Sequence, residues 1–367
     1  MTDLTFLKNF QKELEKAGID AEASSEPPRY WFNTGNFVLN RIISGSFLKG
    51  IPQGRITNFS GPSGSGKSFI CCNVMREAQR DDAYIIVLDS ENALDNDFVS
   101  KIGVDVHNNY TYVPIDTISQ LQNIASKFIK HYKDTYGKDS NAPKVLMIVD
   151  SLDMLLTETE EENFGKGVFK GDQGQRSKQL KAVLRQLVQA IKNINMSIIC
   201  TSQVYKNQDM TNGEGVWIIN DAIKFSLSQI IMLTKLKLRD DISREVQGIR
   251  MKCEGYKTRF TKPFQNVTIE VPYDSGMDPY NGLLDVSVEL KVVEKRGPRY
   301  ALAGDTESWF ARDFNPRAAD VLAKCEAKRE TFLEGFINDE ELDISSGPSS
   351  KQKRIEKVQE SSDIERE

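Results

Sequence analysis

The chain is 367 residues long, which accommodates one large domain or one domain with small appendages. With 39% hydrophobic and 28% charged residues it has a globular composition, and no run approaches the roughly 18 uninterrupted apolar residues of a membrane span. A formal net charge of −5 excludes composition as an argument for nucleic-acid binding, and five scattered cysteines with two histidines exclude a disulfide framework or a zinc module.

Residues 1–29 read as a short amphipathic helix, with Leu4, Leu7, Phe10 and Leu14 at helical spacing, followed by the polar linker AEASSEPP. This charged start lacks the apolar core of a signal peptide, so a cytoplasmic protein with no membrane partner is expected. A core is expected over residues 30–300. Its apolar runs at 55–60, 83–89, 145–150, 196–200 and 230–233 alternate with amphipathic helices. That pattern predicts an α/β fold, a mostly parallel sheet with helices on both faces. The clearest helix is predicted over Ser177–Asn195, where Leu180, Val183, Leu184, Leu187, Val188, Ile191 and Ile194 form one core-facing stripe. After Ser226 the runs at 243–257 and 266–274 alternate instead, predicting antiparallel strands at the sheet edge. Residues 282–336 read as helical, so 301–337 is assigned as a C-terminal helical region. The segment 338–367 holds nine acidic and five basic residues and is expected to be a disordered acidic tail.

Gly61-Pro62-Ser63-Gly64-Ser65-Gly66-Lys67-Ser68 matches G-x4-G-K-[ST] in full, with an apolar strand (Ile56–Ser60) before it and a helix (Phe69–Gln79) after it. Glycines let backbone N–H groups curl around a β-phosphate, and the helix points its positive end at the same anion. Lys67 is expected to bridge the β- and γ-phosphates and Ser68 to ligate Mg²⁺. Asp150, ending the run 145–150, is the acid that would hold the metal through water. Asp89 and Glu91 follow the strand before it, and either carboxylate could orient the attacking water or cap a helix.

Further motifs carry a family resemblance. Asp89-Ser90-Glu91-Asn92-Ala93-Leu94-Asp95, the pair Asn33-Thr34-Gly35 and Gly50–Arg55, Thr201-Ser202-Gln203, and Lys257-Thr258-Arg259 each resemble a segment of the bacterial RecA recombinases. Tyr273–Asp285, YDSGMDPYNGLLD, resembles a stretch of the UvsX-like recombinases of T-even-type bacteriophages. The resemblance covers roughly residues 30–300 and implies a RecA-like P-loop ATPase core that uses ATP and Mg²⁺. It implies that Glu91 polarises the attacking water, that Asp95 and Phe98 contact the adenine, and that Tyr273 covers the same ring from the neighbouring subunit. Gln203 would sense the γ-phosphate, while Lys257 and Arg259 would act in trans on the neighbour's γ-phosphate. The N-terminal helix would dock on an adjacent subunit, or cap its own core.

By family position, one DNA-binding loop lies within Leu156–Gln175 and another within Gln203–Asp221. Their candidate contacts are Lys166, Phe169, Lys170, Arg176, Tyr205, Lys206 and Trp217. Their charge alone does not argue for a phosphate groove, because Glu158, Glu160, Glu161, Glu162 and Asp172 accompany the two lysines of the first loop. The implied function is a DNA-dependent ATPase that forms a helical filament on single-stranded DNA and performs pairing and strand exchange in phage recombination, repair and replication. Its implied partners are single- and double-stranded DNA, copies of itself, a phage recombination mediator and a single-strand DNA-binding protein, and its place is the host cytoplasm. The alternative is another RecA-fold motor such as a hexameric helicase, although about 30 residues before the core leave little room for the usual separate N-terminal domain. A non-enzymatic ATP-gated scaffold would have no use for Glu91 and Gln203.

Overall fold

Helical spacing in the first residues becomes α1 (Thr5–Lys16), in a computed structural model that describes residues 5–17, 27–137, 139–168, 174–206, 217–240 and 242–340. The chain divides into two units, one of residues 1–45 and 49–279, the other of 46–48 and 280–367. In the first unit β1 (Trp31–Phe32) pairs antiparallel with β2 (Ile51–Pro52) on either side of α2 (Phe37–Ser44). Asn36 starts α2 by accepting from the Val38 and Leu39 N–H groups. The alternation then runs β3 (Ile56–Ser60), α3 (Lys67–Arg80), β4 (Tyr84–Asp89), α4 (Asn96–Lys101), β5 (Tyr110–Pro114), α5 (Ile118–Tyr136) and β6 (Val145–Asp150). It continues through α6 (Glu158–Gly165), α7 (Gln175–Ala190), β7 (Met196–Ser202), β8 (Val204–Lys206), β9 (Trp217–Ile219) and α8 (Asp221–Ser226). Three long strands close the unit: β10 (Gln229–Arg239), β11 (Val246–Lys257) and β12 (Asn266–Pro272).

The eight-stranded sheet has the order β12-β11-β10-β3-β7-β6-β4-β5. All pairs from β10 to β5 are parallel, while β10–β11 and β11–β12 are antiparallel. The continuous apolar runs are the central strands: every residue of β3, β6 and β7 is buried, as expected where helices cover both faces. One cluster joins Ile86, Leu88, Met147, Val149 and Ile198 of the sheet to Leu121, Ala125 and Ile129 of α5 and to Leu180, Val183 and Leu184 of α7. The alternate strand residues Phe59, Val87, Ile148 and Ile199 are buried as well, and α3 contributes buried Ile70, Val74 and Met75.

Three expectations change. The helix predicted over Ser177–Asn195 ends at Ala190, because Asn193 adopts the left-handed backbone at φ 65°. Ile191 and Ile194 stay buried in the turn that follows, so the apolar period outlasts the helix. Strand β5 has no counterpart in the sequence reading, being a half-buried edge strand, YTYVP, with no alternation. In the second unit the stretch read as helical holds α9 (Leu283–Glu289), then a three-stranded antiparallel sheet of β13 (Val293–Arg296), β14 (Arg299–Leu302) and β15 (Trp309–Phe310). Gly297, at φ 63°, turns β13 into β14. Two 3-10 turns lead to α10 (Ala318–Glu340). Residues 280–300 are thus grouped with the C-terminal residues rather than with the large sheet. The acidic segment beyond 340 lies outside the described residues, as do residues 1–4 and most of the linker.

All five cysteines are buried and none forms a disulfide, and burial pushes the thiols of Cys71, Cys72, Cys200 and Cys253 up. Among the described residues no helix is long and apolar enough to cross a membrane. Phe59 is fully buried in β3. Phe59→Ala is expected to lower the unfolding free energy by about 3–5 kcal/mol, read from urea denaturation.

Candidate functional site

Strand β3 is buried along its whole length, so the chain leaves it through a turn that touches its neighbours. A β-carbon on Gly61 would collide with the Leu233 carbonyl oxygen of β10. Gly66, at φ 96°, holds the left-handed conformation immediately before α3. Gly61 N–H donates to the Ser202 carbonyl at 3.1 Å, tying the loop to β7, and Ser65 N–H donates to the Pro62 carbonyl at 3.2 Å. The N-terminus of a 14-residue helix therefore opens onto a ring of backbone groups, an arrangement that favours an anion. Lys67 Nζ folds back over the loop, donating to the Gly61 carbonyl at 2.9 Å and the Pro62 carbonyl at 3.2 Å. Burial pulls its ammonium below the ordinary lysine value, and Glu91, Asp150 and Asp153 push it back up.

The parallel register pairs Asp89 with Asp150 and Ser60 with Ser202, so the strand ends stand level beside this loop. Ser68 Oγ donates to Asp150 Oδ2 at 2.7 Å, and Thr201 Oγ1 donates to Asp150 Oδ1. Burial raises the Asp150 carboxyl, and the two hydroxyls act against it. Ser68 and Asp150 are hard oxygen donors on adjoining elements, a set that suits magnesium. Glu91 lies next to them, its Oε1 accepting from Ser151 Oγ at 2.6 Å. Asp89 is occupied structurally, accepting the Glu91 N–H at 2.9 Å and the Leu94 N–H at 3.0 Å. Of these two carboxylates, Glu91 is the one whose charge acts on Lys67. Asn58, Ser60 and Ser202 form a buried hydroxyl–amide network under the site, at 2.7–2.8 Å.

Asp95 and Phe98 stand at the start of α4, where the Asp95 carboxylate accepts the Phe98 N–H at 2.8 Å. With Asn96, Asp97 and Lys101 they line an open recess of about 460 Å³. Tyr273, 67% exposed, follows β12 at the nucleotide end of its own sheet. A β-carbon at nearby Gly276 would meet the Phe69 ring of α3 at 3.9 Å, so the segment lies against this chain's own phosphate-loop helix.

Lys257 and Arg259 do not join this cluster. A β-carbon on Gly66 would meet Met251 Sδ of β11 at 2.8 Å. Lys257 ends the same strand six residues on, about 20 Å away at the usual strand rise. Its Nζ donates to the Lys224 carbonyl at 2.7 Å, and burial followed by the Arg259 charge holds it below the ordinary lysine value. Arg55 is lowered by the same two causes, so three cations gather at this other end.

The first expected DNA loop begins as a helix. Thr157 and Glu160 form a capping box that starts α6, and none of α6 is buried. Lys166 pairs with Glu162 at 3.3 Å just past it. Phe169 and Lys170 lie outside the described residues. Arg176 is turned inward, donating to the Leu155 carbonyl at 2.9 Å and to the carbonyls of Leu152 and Asp153. The second expected loop is rooted in an antiparallel ribbon, β8 with β9, which sets Lys206 opposite Trp217 and leaves Tyr205 52% exposed. Gln203 bridges β7 to this ribbon, and its N–H donates to Asp153 Oδ2 at 2.6 Å. Asp153 and Ser151 were missed by the sequence reading. Asp153 breaks the otherwise apolar run LDMLL, and that was the one signal that could have found it.

The family described as the RecA N-terminal domain matches residues 7–278. The chain is similar to Protein RecA of Thermus aquaticus, at 27% identity over 317 residues, 83% of this chain and 82% of that protein. It is similar to Protein RecA of Aquifex aeolicus at 28% over 305 residues, 80% and 81% of the two chains. It is also similar to Protein RecA of Gluconobacter oxydans at 25% over 335 residues, 86% and 89%.

The Asp150 carboxyl has a folded value raised above its ordinary 3.8, so the folded state holds the proton more tightly and stability falls as pH rises between the two values. Asp150→Asn removes that loss. Without nucleotide or magnesium, the Tm of the variant relative to wild type is expected to increase as pH rises from about 4 to 7. A pH-independent difference would contradict the assignment.

Proposed function

The chain belongs to the RecA family, and from that membership we propose that it is a DNA-dependent ATPase that assembles as a helical filament on single-stranded DNA and exchanges strands with a homologous duplex. Within the family we assign it to the UvsX-like recombinases of T-even-type phages, on the strength of the Tyr273–Asp285 segment. Its setting would be phage recombination, repair and recombination-dependent replication in the host cytoplasm, beside a recombination mediator and a single-strand DNA-binding protein. Gly61–Ser68 would cradle the ATP phosphates, Ser68 and Asp150 would hold magnesium, and Glu91 would orient the water. Asp95, Phe98 and Tyr273 would meet the adenine from the same chain. Bound magnesium would neutralise charge developing on the phosphates.

The observation that carries this reading is the separation of Lys257 and Arg259 from the phosphate loop of their own chain, about 20 Å along β11. A lysine side chain does not span that distance, so a γ-phosphate contact by these cations requires a second copy. A contact between opposite ends of identical chains is heterologous and propagates as a filament when it does not close. Exposed Phe6 and Phe10 on α1 favour the same reading, since they present an apolar face to a second subunit. Tyr205, Lys206 and Trp217 on the β8–β9 ribbon would contact bases and phosphates. Lys166, Phe169 and Lys170 would do so from the first segment.

Hydrolysis by the wild type is expected to rise with single-stranded DNA and to vanish in Lys67→Ala; hydrolysis indifferent to DNA would overturn the recombinase reading. Arg259→Ala is expected to be nearly inactive alone. Mixed in equal amounts with Lys67→Ala, it is expected to recover about a quarter of wild-type turnover, because random assembly then creates about one intact interface in four. No recovery on mixing would argue against a shared site.

A further inference from the structure

Asp153 stands three residues past β6, in the turn that leads to α6. Its Oδ2 accepts the Gln203 main-chain N–H at 2.6 Å, and its Oδ1 is buried with no hydrogen-bond partner among the described residues. Arg176, at the start of α7, closes the same turn from the other side. Its Nε donates to the Leu155 carbonyl at 2.9 Å, and one terminal nitrogen donates to the Leu152 carbonyl at 3.4 Å and to the Asp153 carbonyl. Burial raises the Asp153 carboxyl, while the Gln203 N–H and the charges of Arg176 and Lys67 lower it. The same carboxylate acts in turn on Lys67.

We infer that Asp153 and Arg176 form a latch that couples the two DNA-facing segments to each other and to the phosphate loop, with Asp153 as the positioning residue for Gln203. Gln203 is the first residue to leave β7, and its N–H goes to a carboxylate of the turn leading into the other segment rather than to a strand. The main chain at the root of the ribbon is thus set by the turn at 151–156. Arg176 locks that turn to α7 through three carbonyls, so a ligand that shifts 156–168 carries Asp153 with it. The Gln203 backbone follows, and the charge beside Lys67 moves with both. A hydrogen bond to a carboxylate is among the stronger single contacts in a protein interior, which makes it an effective link between two segments that otherwise share no strand pairing.

The inference rests on the reading of this protein as a DNA-stimulated ATPase, and its test separates the two. Full-length wild type, Asp153→Ala and Asp153→Asn are compared by the ratio of kcat with an oligo-dT single strand to kcat without it. Hydrogen exchange of the amides around Gln203 is measured in parallel, without DNA. Asp153→Ala is expected to lower the ratio by about tenfold, the scale of one lost hydrogen bond to a charged group. The Gln203 amide is expected to exchange faster in that variant. Asp153→Asn is expected to restore both, because its amide oxygen still accepts the N–H. A wild-type ratio in Asp153→Ala, or unchanged exchange at Gln203, overturns the latch. A wild type that DNA does not stimulate overturns the functional reading instead, and the exchange data then decide the latch alone.

Discussion

A carboxylate buried at the end of an apolar strand is unfavourable unless hydrogen bonds surround it, and the nucleotide end of this sheet is arranged around one. Asp150 terminates six buried residues and receives the hydroxyls of Ser68, on α3, and Thr201, on β7. Those two bonds join the helix after the phosphate loop to the strand that leads into the β8–β9 ribbon. The level ends of β3, β4, β6 and β7 follow from the parallel register, and the loop can curl only because Gly61 and Gly66 carry no side chains. The charge therefore sits where strand order, helix start and hydroxyl donors converge.

The opposite end of the same sheet gathers cations. Parallel strands send their C-termini to one edge, and β11, running antiparallel, returns its own C-terminus to the other. Lys257 and Arg55 lie there with Arg259, and burial followed by the Arg259 charge holds both below their ordinary values. Cations so placed repel one another until an anion arrives. A sheet with an anion-favouring loop at one end and cations at the other is polar along its strands.

Between these ends the segments expected to meet DNA are less alike than their sequences suggest. One starts as an acidic, wholly unburied helix, the other as a two-stranded ribbon with aromatic and basic residues. Arg176, just past the first at the start of α7, donates to three carbonyls of a tight turn that need a donor.

The sequence by itself determined the phosphate loop, the five apolar strands and the antiparallel edge. Each is written in local spacing: glycines around Lys67 and Ser68, continuous apolar runs, and period-two alternation in 246–257. It also determined the stripe of α7, though not its end, because apolar period continues through Ile191 and Ile194 after Asn193 has turned the backbone. Tertiary structure alone decided which of Asp89 and Glu91 is spent on local turns, that the chain at Gly276 lies against its own α3, and that Asp153 meets Gln203 from fifty residues away. These depend on where separate strands end relative to one another in a folded sheet. That relation is set by register and packing, which no local spacing encodes.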